Sequence, residues 1–278
     1  MTAFQVGEAL PPCDVTAHNY AADVENRIHS DEGAAEHGFA GALVPGVGVY
    51  AYLARPIVAA FGRDWAARGA MSAKFLKPVY DRDRVQARAV VAGRDPLAFD
   101  LQLVNAAGTL CAIGAAEMPA RRPEIDARDY PHHPAGPLRP ASIASIWRGE
   151  HFASHDFTLR LDREGAAFLD DVIEDSPLYR GPDAICHPAF WLAQANELLM
   201  RSVDLGMWVH TASAVTHFAL ARDGEAVSMR ARVADAFEKR GHESLTLDIG
   251  VFGEQERPLL HLDHTAIIRL RGDQTPAA

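Results

Sequence analysis

Two stretches of this sequence are too apolar to lie on a surface as helices, so any fold of the chain must bury both. Residues 43–62 read LVPGVGVYAYLARPIVAAFG, and residues 185–206 read ICHPAFWLAQANELLMRSVDLG. Each opens with a turn dipeptide, Pro45-Gly46 in the first and His187-Pro188 in the second. A helix that is apolar nearly all round needs other structure wrapped about it, and a sheet is the simplest wrapping. The strands are present. Residues 74–91 and 216–236 each read as strand, charged turn, strand, and residues 99–118 and 244–270 alternate apolar with polar side chains. Asn105–Gly108 and Gly253–Glu256 have the composition of hairpin turns.

These parts recur. Gly46 and Pro188, at the two helix openings, are 142 residues apart, and so are Val85 and Val227 in the strands. One shift fitting both landmarks implies a duplication. Between the copies lies PARRPEIDARDYPHHPAGPLRP, rich in proline and charge, which should be extended and exposed. The expected organisation is a unit at 1–118, a linker at 119–140 and a second unit at 141–278. Each unit is α+β: a leading element, a buried helix, then about four antiparallel strands.

The 278 residues are 48% hydrophobic and 23% charged, enough for two cores. A net charge of −10 without long basic runs argues against nucleic acid as a partner. No apolar run of membrane-spanning length occurs, and the first residues lack a signal-peptide pattern, so the cytoplasm is the expected location. Cys13, Cys111 and Cys186 are far apart and read as reduced thiols. No P-loop, GxGxxG or GxSxG occurs, and His132-His133 in the linker lacks a third ligand, so neither cofactor nor metal is expected.

One segment carries chemistry. Asp23-Val24-Glu25-Asn26-Arg27-Ile28-His29-Ser30-Asp31 is followed by Ala34-Ala35, Gly38-Phe39 and Val44-Pro45-Gly46, then by Phe75-Leu76-Lys77-Pro78-Val79. This order resembles the signature of MaoC-like, (R)-specific enoyl-CoA hydratases. Their pattern is Asp-x-Asn-Pro-(Ile/Leu)-His, Gly-Phe, a His-Gly helix opening and Phe-x-x-Pro-Val. The resemblance implies a tandem, or double, hot-dog fold and a hydratase or dehydratase acting on an acyl-CoA or related thioester. It implies His29 as the water-activating base, Asn26 as its helper, and Gly46 and Val47 as substrate-binding amides at the helix start. Hot-dog units often pair further, so a homodimer is an option.

Two departures matter. The family's catalytic aspartate falls on Val24, leaving Asp23 or Glu25 to replace it, with Asp23 favoured. The family's His-Gly is Pro45-Gly46, and Arg27 stands where the family has proline. In the second half the counterpart of His29 is Asp171, with no motif around it. Asp31 reads as a helix cap, His187 as part of a turn, and His210 and Ser213 as bonded within a turn, with the acyl tunnel as their alternative. Arg88, Arg230 and Arg232 are expected on the outer sheet face, where one could meet a CoA phosphate. Glu197 on the second helix is the candidate base of a thioesterase, the alternative enzyme. A catalytically silent thioester binder is the third reading, suggested by Val24.

Overall fold

The computed structural model describes residues 4–22, 26–120 and 124–272. The N-terminal half contains β1 (Cys13–Thr16), α1 (Asp31–Glu36), α2 (Gly46–Arg68), β2 (Ala70–Phe75), β3 (Arg84–Arg94), β4 (Leu97–Asn105) and β5 (Leu110–Met118). A short β6 (Arg139–Pro140) ends the connection. The C-terminal half contains β7 (His155–Thr158), α3 (Glu164–Asp171), α4 (Phe190–Met200), β8 (Val203–Asp204), β9 (Val209–His217), β10 (Ala226–Lys239), β11 (His242–Phe252) and β12 (Pro258–Arg269).

Ten strands form one antiparallel sheet in the order β1-β3-β4-β5-β2-β9-β12-β11-β10-β7. Read from both ends, this order is the same list twice. β1 answers to β7, β3 to β10, β4 to β11, β5 to β12, and β2 meets β9 at the centre. The shift of 142 residues persists at atomic register. Val15 pairs with Val85 and Phe157 with Val227, and the isolated bridges Ala9–Val90 and His151–Arg232 repeat it again. Joining β2 to β9 also removes an edge from each half.

α2 is buried from Val47 to Leu53 without a break, as its sequence demands, and packs against β1 to β5 and β9. It runs further than its apolar run suggests, to Arg68, across a non-helical Gly62 (φ 52°). α4 is shorter than expected, stopping at Met200, and lies against β7, β8 and α2. The strands behave as the alternation predicts. On β12, Leu260, Leu262, His264, Ala266 and Ile268 point inward, while His261, Asp263 and Thr265 are partly exposed on the other face. His264 therefore occupies a core position.

The described residues of the connection are mostly exposed, as expected, but Tyr130 anchors the segment. Tyr130 is only 4% exposed and its hydroxyl donates to Asp248 Oδ1 at 2.6 Å, so this segment is docked on the outer face of the C-terminal half's sheet rather than free. An aromatic side chain in a proline-rich stretch has found a carboxylate that local sequence could not announce. Asp31 is also corrected as a cap. Ser30 caps α1, its Oγ accepting from the Gly33 amide, while Asp31 Oδ1 accepts from the Ala42 amide at 2.8 Å.

Candidate active site

A cavity of about 760 Å³ lies between the N-terminus of α2 and the C-terminal half's α4 and β8–β9 segment. Its lining is mostly apolar, with Val47, Phe75, Val79, Met200 and Trp208 among the walls. Asn26, His29, Lys77, Asn196, Glu197, Asp204, His210 and Thr211 add polar groups. Apolar walls with a few polar side chains are what a small-molecule site requires.

His29 sits on a single 3-10 turn, Arg27–His29, just before α1. Its Nδ1 lies 2.7 Å from the Leu43 carbonyl oxygen. A carbonyl only accepts, so Nδ1 carries the hydrogen and Nε2 keeps its lone pair. Burial holds this imidazole below its ordinary range, with the Leu43 bond opposing the shift. The anchor carbonyl is three residues before Gly46, so one backbone segment fixes both the His29 ring and the helix start.

Asn26 has a different geometry from that of a free polar helper. Its Nδ2 donates to the Trp208 carbonyl at 2.9 Å, and its Oδ1 accepts from the amides of Ile28 and Trp208 at 3.4 Å. It ties the His29 turn to the opposite half. Asp23, with Val24 and Glu25, lies outside the described residues.

Gly46 begins α2, and Pro45 offers no capping side chain. The first intrahelical donor is the Val49 amide, bonded to Pro45 O, so the Gly46 and Val47 amides precede the helical ladder. Gly46 is also required sterically. A Cβ there would stand 2.8 Å from both His210 Nδ1 and Phe75 Cε2. A helix start with spare amides and a positive dipole end suits a developing oxyanion.

The remaining sequence candidates divide cleanly. His187 Nδ1 accepts from the Ala189 amide, a turn role as expected. His210 and Ser213 do bond to each other, at 2.7 Å, yet His210 also lines the cavity. Arg88 is exposed, whereas Arg230 and Arg232 are half-buried and engaged. Arg230 Nη1 meets Glu256 at 3.0 Å and Arg232 Nη2 meets Asp248 at 2.7 Å. Lys77 is the single Lys or Arg among the lining residues. Sequence reasoning missed His264, although its place in the inward series of β12 was the available signal. Asp248, His261 and Asp263 bring ligand atoms within 4.8 Å of one another. Asp248 already accepts from Tyr130, Arg232 and His261, so the group is an ion-pair network with a guanidinium inside it, a poor host for a cation.

Comparison with solved structures places this architecture. A MaoC domain dehydratase from Chloroflexus aurantiacus superposes with a TM-score of 0.69 at 12% identity, covering 97% of both chains. The chain has a double hot-dog fold. A double hot-dog protein from Mycobacterium tuberculosis, described as essential for bacterial survival during infection, matches with a TM-score of 0.65 at 17% identity, over 95% of this chain and 96% of its own. An oleoyl thioesterase from Lactobacillus plantarum matches more loosely, with a TM-score of 0.51 at 10% identity over 97% and 98%. No family model and no curated protein sequence matches the chain. These likenesses show the fold alone, and any function must be argued from the side chains. Among the described residues no helix is long and apolar enough to cross a membrane.

Proposed function

We propose that this double hot-dog chain adds water to a 2-enoyl thioester, or removes it from the 3-hydroxyacyl product. One observation carries the reading: His29 is anchored through Nδ1, leaving Nε2 as the basic atom of a residue in the wall of the cavity that α2 opens into. Nε2 accepts a proton from water as the water oxygen bonds to C3. Electron density moves to the thioester oxygen, held by the amides at Gly46 and Val47. C2 then takes a proton, from Asp23 or Glu25 in place of the family aspartate or from the His29 imidazolium itself. Neither a cofactor nor a metal enters these steps. The apolar walls and the lone Lys77 support an acyl-CoA as the substrate class.

In this reading residues 1–118 form the reactive unit, 119–140 the connection and 141–278 the unit that walls the pocket. Glu197 supports a second reading, since it lines the same cavity and is exposed enough to activate water against a thioester carbon. The test is a panel of 2-enoyl-CoAs, followed by loss of the conjugated thioester absorbance. Loss without release of free CoA is expected. Release of CoA thiol from saturated acyl-CoAs, with enoyl absorbance otherwise stable, would replace the hydratase by the thioesterase. Binding without either reaction would leave a silent binder.

A further inference from the structure

Besides His217, which packs on Trp65, three polar side chains stand on the core side of the central strands, where the alternation calls for apolar ones. They are His210 and Ser213 on β9 and His264 on β12, exposed by only 6%, 4% and 1%. They form a chain: His210 Nε2 is 2.7 Å from Ser213 Oγ, which is 3.1 Å from His264 Nδ1. Both ends are open. His210 Nδ1 and His264 Nε2 are buried without a hydrogen-bond partner. The first of these ends closes on the start of α2, where it stands 2.8 Å from the position a Gly46 Cβ would take. The imidazole is held in that pose by stacking on His264 (4.2 Å between centroids) and by an edge contact with Phe75 (4.9 Å).

We propose that His210 is a second hydrogen-bond donor to the substrate's thioester oxygen, supplied by the C-terminal half to the site that the N-terminal half opens. This rests on the thioester reading given above. The chain has two proton arrangements. In one, His264 Nδ1–H donates to Ser213 Oγ, Ser213 O–H donates to His210 Nε2, and His210 directs Nδ1–H toward Gly46 at the cavity's edge. In the other, both bonds run in reverse and His210 Nδ1 keeps a lone pair. A thioester oxygen only accepts, so a bound substrate selects the first arrangement. It also satisfies the buried donor that this arrangement would otherwise leave orphaned, the rarer kind of orphan in folded proteins. Burial and the neighbouring His264 keep the His210 imidazole neutral, so it donates a hydrogen bond without becoming an acid. With the α2 amides it would make a two-sided oxyanion site, one side from each half. Ser213 and His264 are positioning residues that hold the tautomer.

The test uses 4-dimethylaminocinnamoyl-CoA, an enoyl thioester whose absorption band moves to the red when its carbonyl is polarised. With the wild-type protein a red-shifted bound spectrum is expected. In His210→Phe, which keeps a ring but no donor, the shift should fall by at least half while the dissociation constant changes less than about tenfold. Hydration should slow by about 10²–10³, the usual loss on removing an oxyanion donor. His210→Gln should recover part of the shift, and Ser213→Ala should lose part of it. An undiminished shift in His210→Phe overturns the assignment while leaving the hydratase reading intact, whereas no binding of the probe to the wild type overturns both. Should the variants not fold, nitrogen-15 NMR of histidine-labelled wild type decides. A bound-state His210 in the Nδ1–H tautomer supports the proposal, and the Nε2–H tautomer overturns it.

Discussion

The two halves share a fold and a register, yet they treat the space at the head of their buried helix in opposite ways. In the N-terminal half α2 starts at Gly46 with spare amides beside a cavity, and His29 stands in its wall. In the C-terminal half the turn before α4 is closed by His187, which accepts the Ala189 amide. The 142-residue shift relates Glu197, a cavity residue, to Arg55 on α2. Arg55 reaches across to the C-terminal half, pairs with Glu174 at 3.4 Å and donates to the carbonyls of Val172 and Ile173. The rings of Phe168 and Tyr179 pack on His187 at 5.5 and 4.6 Å. The equivalent space is filled by an ion pair and aromatics. A duplicated fold has thus kept one opening and turned the other into a joint between the halves.

Arg55→Ala breaks the filled side most severely. It strands the buried Glu174 carboxylate, and a loss of about 3–5 kcal/mol is expected in denaturant unfolding. Arg55→Met with Glu174→Leu should recover most of it, because an apolar plug of similar volume removes both desolvation costs. On the open side, Gly46→Ala drives a methyl into His210 and Phe75, at a cost of about 1–3 kcal/mol and with loss of turnover. Asn26→Ala removes the tie to Trp208 and should cost about 1–2 kcal/mol in stability, with a larger fall in turnover as the His29 turn loosens.

Acid separates the halves more gently. Burial pushes His187 and His264 down to about 3 and His217 to about 4. Each binds a proton more readily unfolded than folded, so stability should fall as pH drops below about 6.5, before carboxylates titrate. The check is the melting temperature between pH 7 and pH 4.5, where a flat profile would contradict the burial of these rings. His29 is depressed by burial too, so the acidic limb of kcat/KM should have its midpoint below 6.5.

Much of this was legible beforehand, for physical reasons. Helices that are greasy all round and strands of period two follow from burial on known faces, and the duplication carried its register from Val85 to Val227. The local spacing of the motif placed His29 and Gly46 near each other, and both line the same cavity. What escaped was long-range polar pairing: Asn26 with Trp208, Tyr130 with Asp248, Arg55 with Glu174. These partners are separated by 182, 118 and 119 residues, and a hydrogen bond leaves no periodic trace in sequence. His264 escaped because a histidine between leucines reads as noise until the sheet shows which face it joins.

The central claim is that one base, in the open half, runs the reaction. The direct measurement is enoyl-CoA consumption by His29→Gln beside Asp171→Asn, its counterpart in the filled half. His29→Gln should lose about 10²–10⁴ in turnover while still binding thioester, and Asp171→Asn should match the wild type. Equal turnover in His29→Gln and the wild type would contradict the account.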